Sequence, residues 1–511
     1  MHRVGWSLSP QSYPTTMLTV LLALSVALPT PPADPRALID AAVAALQRSA
    51  SLRDVRAYRL TGLQHDYVLG NGERADGPWY PTYSQFAELR DGTSSSFRRT
   101  FRNLATTGPG PELVTVLTDS VVSNRIGARE TGSSRAAYED AIDRIDAAPA
   151  RALMLAAASP ALRLDGTATH FGITYDVLSF PWRNGRMRLE LNRDTHLPDA
   201  VDIVRAYPDN FRWAAFGDVT MRTEYGRWSI HSSGAWWPMH ERVLLNGELL
   251  HDVSITTVAL DTARVPAESL TVSDSARVQY AANSKLNFST FRLGARGQPT
   301  ELRPGIVRVP DQWAMTLVKQ PDGVVIFEAH ISAQYLHDVI GEANRRWPGS
   351  PIKAIVMTSD PWAHIGGVRE AIALGIPIYV QAGSVPFLTK VAKAPHTLEP
   401  DRLAKQPRVP TFMPVSAKTA IGSGENRMEL YPVGGPYGER MLMAYFPDAK
   451  LLYGADLVFP NRAVTGQPGK GYFETSLVDL RNAVDREKLA VDTLFCVQNY
   501  QPIAWSEFLA R

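Results

Sequence analysis

The stretch Ile355–Val380, IVMTSDPWAHIGGVREAIALGIPIYV, constrains the fold of this chain more than any other. An apolar run (Ile355, Val356, Met357) ends in the polar residues Thr358, Ser359 and Asp360. The pair Gly366-Gly367 then opens a helix, and Gly375-Ile376-Pro377 turns the chain into a second apolar strand. Strand, polar loop, helix and strand is the unit in which α/β architectures carry their sites.

At 511 residues the chain is too long for one ordinary domain. Its 53 basic and 51 acidic residues nearly cancel, with no basic block interleaved with aromatics, so nucleic acid is not an expected partner. One cysteine, Cys496, excludes an intrachain disulfide and a cysteine-built zinc site, and Leu494-Phe495-Cys496-Val497 reads as a buried apolar run. Met17–Leu28 is an uncharged apolar run followed by the Pro-rich TPPADP, short for a membrane span and suited to the core of a secretory signal. Residues 1–33 are therefore expected to be a cleaved leader, giving a periplasmic or secreted protein with no lasting membrane span.

Beyond the leader, Asp34–Ser49 shows helical periodicity after an Asp-Pro start. The region Val55–Val122 reads as mixed, with strands at Ala57–Leu60 and Leu113–Leu117, and a helical pair is expected at Arg135–Ile145 and Pro149–Ala158. From Thr167 to Leu260 apolar and polar residues alternate, with hairpin turns expected at Asn184-Gly185 and Asn246-Gly247. The runs HLPDAVDI and WWPMHERVLLNGELLHDVSITTVALD resemble the curved half-barrels of periplasmic lipoprotein carriers, over a β-rich domain of residues 34–272. Trp236 and Trp237 either line a lipophilic cleft there or, as is commoner, fill the core. Residues 273–301 read as a linker or edge, and residues 302–511 as a second domain with a helix at Ser332–Trp347 and strands at Ile352–Met357, Leu430–Val433, Met441–Phe446 and Leu451–Tyr453.

This second domain resembles the metallo-β-lactamase superfamily. Asp322-Gly323 before an apolar strand ending in Glu328 is similar to the family's opening, and Gly454-Ala455-Asp456 falls where its bridging aspartate stands. Against the family loop T-H-x-H-x-D-H-x-G-G, Thr358, His364, Gly366 and Gly367 match, while Ser359, Pro361 and Ala363 replace two histidines and an aspartate. The resemblance implies an α+β chain: a C-terminal αββα sandwich preceded by the antiparallel half-barrel-like domain. It also implies a hydrolase of esters, amides or phosphoesters acting on a small or lipophilic substrate.

A standard binuclear zinc site is not expected, because only His330, His337, His364 and His396 lie beyond residue 285. Three chemistries stay open. One divalent ion (zinc, manganese or magnesium) is held by Asp360, His364 and Asp456, completed by Glu439 or Asn499, with Asp360 as ligand or general base; His330 is an outlying substitute. Alternatively Ser359 is a nucleophile served by His364 and Asp456, although no G-x-S-x-G elbow is present. The third is a catalytically inactive pseudoenzyme that binds a ligand. Arg440 is expected to pair with a carboxylate or to bind an anionic substrate.

Overall fold

In the computed structural model, strand Ala57–Tyr67 pairs antiparallel with Pro81–Asp91 on one side and with the much later Glu248–Asp261 on the other. This pairing fuses two meanders, six strands from Ala57 to Gly132 and seven from Arg163 to Asp261, into one sheet of thirteen strands. The structure describes residues 34–47, 54–70, 74–105, 108–118, 120–208, 210, 212–285, 292–294, 297–310, 313–458, 471–498 and 501–510. The expected leader and Asn499 lie outside them. Among the described residues no helix is long and apolar enough to cross a membrane.

The helices follow their sequence signals closely. Pro35–Gln47, Arg135–Asp146 and Pro149–Ala158 form, the second capped by Ser134 and the third started by its proline. Asn246 and Gly247 make the two-residue hairpin, both at positive φ (49° and 87°) as a type I′ turn requires. The earlier hairpin is shifted by one residue. Its loop is Arg183-Asn184, and Gly185 opens the next strand opposite Trp182. Trp237 is a core residue, packed beside Tyr58 at a ring distance of 5.4 Å.

Two expectations require correction. Among the described residues of Val55–Val122, the regular elements are all antiparallel strands and not a mixture, including Pro81–Asp91 and Phe97–Ala105. Those strands carry charge on their inner face: Glu88 and Arg99 are both buried and bonded at 3.0 Å, which disguises the alternation of faces. The expected linker also holds a helix, Asp274–Asn283, capped by Ser273, that buries Ala276 and Tyr280. It lies so close to strand Arg129–Gly132 that a Cβ on Gly132 would stand 2.1 Å from the Ala276 carbonyl.

From Thr300 onward the chain builds two further sheets. The first has seven strands; its central strands Gly323–Phe327, Ile352–Val356 and Ile378–Gln381 run parallel to one another. The second has six, centred on Met428–Gly434, Glu439–Phe446 and Leu451–Tyr453. Val325, Phe327 and Val356 of the first meet Leu430, Ala444 and Tyr453 of the second in a shared apolar core. The outer face of the first packs on helices Ala333–Arg346 and Val368–Leu374, that of the second on Gly471–Arg486. One apolar cluster runs on from the first sheet's helices into the thirteen-stranded sheet. Trp362 sits at this junction, its ring 5.4 Å from Trp79, 4.5 Å from Trp213 and 4.8 Å from Phe216, while its Nε1 donates to Ala75 O at 2.8 Å.

Candidate catalytic site

Strand Ile352–Val356 is central and parallel to both neighbours, so the polar residues after it emerge at the carboxyl edge of the sheet. Pro361 ends the extended run, and the single 3-10 turn Trp362–His364 folds back over it. The Gly366-Gly367 pair is a packing requirement. Gly367 N donates to Ala329 O at 2.8 Å, and a Cβ on Gly366 would stand 2.2 Å from the Ile331 carbonyl. The loop 328–332 is thus pressed against the helix start, with Glu328 and Ile331 at positive φ (73° and 65°).

The fold-back brings Ser359 Oγ to 2.7 Å from His364 Nδ1. On the other side of the ring, Asp456 Oδ2 lies 3.8 Å from His364 Nε2. Asp456 comes from the turn Ala455–Leu457 after strand Leu451–Tyr453, and Gln498 Nε2 donates to its Oδ1. All three are deeply set: Ser359 is 4%, His364 2% and Asp456 9% exposed. Burial drives the Asp456 carboxyl up to about 7, opposed by the Gln498 hydrogen bond, and drives the His364 imidazole down to about 3. His364 is therefore neutral at pH 7.

Asp360 turns away from this line. Its Oδ2 lies 3.4 Å from Arg440 Nη1, and Arg440 Nη2 reaches Asp76 Oδ1 at 2.8 Å. Burial raises Asp360 to about 6, with Arg440 and Ser384 opposing. Glu439 is exposed and bidentate on Arg74, at 2.7 and 2.9 Å. So of the four residues expected to hold a metal, His364 and Asp456 come together, while Asp360 pairs with Arg440, and Arg440 and Glu439 latch the segment Arg74–Asp76 onto the second sheet. Arg440 takes the carboxylate-pairing role expected of it. Among the described residues no group of three or more His, Cys, Asp or Glu is placed to hold a metal ion. Donors directed this way do not fit the expected metal centre.

Three residues add to the site beyond those the sequence singled out as primary. His330 is fully buried, its ring centroid 4.4 Å from that of His364, and neither of its nitrogens has a hydrogen-bond partner among the described residues. Burial pulls its imidazole far below the usual range. Trp313 lies edge-on to His364 at 5.5 Å. Glu328 accepts from the Thr358 amide at 3.3 Å and from Tyr453 OH at 3.2 Å, and also from the Thr358 hydroxyl. Burial lifts Glu328 to about 8, so a neutral acid at the end of an apolar strand fixes the residue before Ser359. An acid closing the run Val324–Phe327 was the signal in the sequence that marked it.

No protein-family model matches this chain, and no curated protein matches it. Among solved structures it is similar to a metallo-beta-lactamase from Pontibacter korlensis, at 14% identity over 41% of this chain and 94% of that one, with a TM-score of 0.33. It is similar to the metallo-β-lactamase FIM-1 from Pseudomonas aeruginosa at 13% identity, covering 43% and 93%, with a TM-score of 0.31. The sec-alkylsulfatase Pisa1 from Pseudomonas sp. shares 15% identity over 42% of this chain and 40% of its own, with a TM-score of 0.30. Likenesses this distant say nothing of the reaction, which has to be read from the side chains.

Proposed function

We propose that the chain is an acyl-ester hydrolase working through Ser359, His364 and Asp456 instead of a metal. The observation that carries this reading is the hydroxyl of Ser359 at 2.7 Å from His364 Nδ1, with Asp456 beside the other nitrogen. Ser359 Oγ attacks the ester carbonyl carbon as its proton passes to Nδ1. The imidazolium so formed is stabilised by the Asp456 carboxylate facing Nε2–H. His364 returns the proton to the departing alkoxide, which leaves as the alcohol. Water, deprotonated by the same nitrogen, then cleaves the acyl-serine to carboxylate and regenerates Ser359. The roles of nitrogens are exchanged relative to the usual triad, in which Nε2 faces the serine.

A second reading, a ligand-binding pseudoenzyme, is favoured by the 4% exposure of Ser359 and by the diversion of Asp360 and Glu439 into arginine pairs. The apolar run Met17–Leu28 supports export, with a periplasmic or secreted destination. Hydrolysis of p-nitrophenyl esters by chelator-treated protein separates the two readings. The hydrolase reading expects turnover that falls about 10²–10⁴-fold in Ser359→Ala and His364→Ala. Turnover unchanged in both variants, or absent from folded wild-type protein, leaves the binding reading in place.

A further inference from the structure

A cavity of about 330 Å³ lies between helix Arg135–Asp146 and the strands Asp218–Ile230, Trp236–Leu245 and Glu248–Asp261, away from the residues assigned to catalysis. Its size is at the lower end of small-molecule sites, about 300–1,000 Å³. The floor is graded from polar to apolar. Side chains two residues apart share one face of a strand, and Tyr225, Thr223 and Met221 of one strand lie opposite Glu241, Val243 and Leu245 of the next. All six line the cavity, with Leu250 and Trp213 adding to the apolar lining. From the Tyr225–Glu241 pair to the Met221–Leu245 pair the floor covers roughly 13 Å, at about 3.3 Å per residue.

The charges in and behind the polar wall balance. Arg205 holds Glu139, Asp140 and Asp143, Glu88 holds Arg90, Arg99 and Arg144, and Arg212 and Glu241 add one charge of each sign. Several polar lining groups are engaged within the protein: Tyr225 OH donates to Ala147 O at 2.7 Å, Tyr207 OH to Asp143 Oδ2 at 3.3 Å, and His251 Nδ1 lies 2.6 Å from Asp66 Oδ1. Two deeply buried charged groups of the wall keep hydrogen-bonding capacity unspent: Arg90, 6% exposed, and Glu241, 7% exposed. Among the described residues the Arg90 guanidinium hydrogen-bonds only through Nε, and no hydrogen bond or ion pair reaches the Glu241 carboxyl, which lies in the field of Arg90 and Arg144. An anion placed here meets Glu241, and a cation meets Arg90 and Arg144, so either sign carries a like-charge penalty. An uncharged hydroxyl carries none. It can donate to Glu241 and accept from Arg90, completing both.

We propose that this cavity binds an uncharged amphiphile, an alcohol on a medium-length alkyl tail. The hydroxyl sits between Glu241 and Arg90, and the tail lies along Val243, Leu245 and Leu250. This assignment stands apart from the hydrolase reading and survives its failure.

The test is calorimetric titration of the full chain with 1-octanol, against its isomer heptyl methyl ether, which lacks the donor, and against sodium octanoate and octylammonium chloride. Saturable binding of octanol is expected, with each of the other three at least roughly tenfold weaker. Leu250→Trp, which fills the cavity and leaves every charge in place, is expected to weaken octanol binding roughly tenfold or more. Glu241→Met is expected to weaken octanol roughly tenfold and bring it level with the ether. Circular dichroism shows whether each variant folds; if either does not, the comparison of octanol with the ether on the wild type decides. The ether, octanoate or octylammonium binding as tightly as octanol, no saturation by octanol on the folded wild type, or wild-type octanol affinity in folded Leu250→Trp or folded Glu241→Met each overturns the proposal.

Discussion

Replacing Trp362 by alanine probes the joint that holds the site loop in place. Its indole is 3% exposed and meets three aromatic rings at 4.5–5.4 Å. Truncating a buried Trp to Ala costs about 3–5 kcal/mol. Each lost aromatic pair contributes about 0.5–1.5 kcal/mol of that, which places this position toward the top of the range. The Nε1 bond to Ala75 O is lost as well, about 1 kcal/mol, leaving a buried carbonyl without its donor. Trp362→Ala is therefore expected to cost about 5 kcal/mol, and Trp362→Phe, which keeps a ring but no donor, about 1–2 kcal/mol. Urea unfolding followed by far-ultraviolet circular dichroism measures both, with the slope checked for a change in cooperativity. A loss below about 1 kcal/mol in Trp362→Ala, with the slope unchanged, would refute the joint.

Further outcomes follow from the same contacts. Gly70→Ala is expected to destabilise by more than about 2 kcal/mol in the same assay, because Gly70 has φ +72° and a Cβ there would stand 2.3 Å from the Trp362 ring. Glu328, at about 8, and Asp456, at about 7, both have folded pKa values raised above the unfolded range. Such groups contribute stability that is present below about pH 4 and is lost as pH rises through 7–8, whereas the depressed His364 acts only between about 3 and 6.5. Thermal stability is thus expected to fall from pH 6.5 to 8.5, and Glu328→Gln to remove about 1–2 kcal/mol of that fall; an unchanged slope in the variant contradicts the raised Glu328. Ester hydrolysis is expected to rise with pH through about 7, as Asp456 ionises, and Asp456→Asn to remove that step; a wild-type profile in the variant contradicts the role of Asp456. Arg440→Met, which breaks the Asp76–Arg440–Asp360 chain, is expected to increase limited proteolysis around Arg74–Asp76, and unchanged cleavage there contradicts the latch.

Elements with a clean period or punctuation were legible in the sequence. The pair Arg135–Asp146 and Pro149–Ala158 was marked by apolar spacing and a proline, and Leu451–Tyr453 by its apolar run. The strand Phe97–Ala105 was hidden because its buried Arg99 is neutralised by Glu88, a partner on another strand. At the site, the nearness of His364 and Asp456 was legible from their motif positions, although the loops that carry them leave two different sheets and not the single sheet edge expected. The fate of Glu439 was not, since its carboxylate answers to Arg74, which is brought there only by the packing of the thirteen-stranded sheet on the loop. The Ser359–His364 bond depends on one 3-10 turn, a local geometry that residue spacing alone does not reveal.

The central claim is that Ser359 is a nucleophile activated by His364. Its most direct test is reaction of the chelator-treated full chain with a fluorophosphonate, read by intact mass and peptide mapping. One adduct, on Ser359, is predicted, absent from Ser359→Ala and strongly slowed in His364→Ala. Folded wild-type protein that takes no adduct, or takes one that survives Ser359→Ala, contradicts the claim.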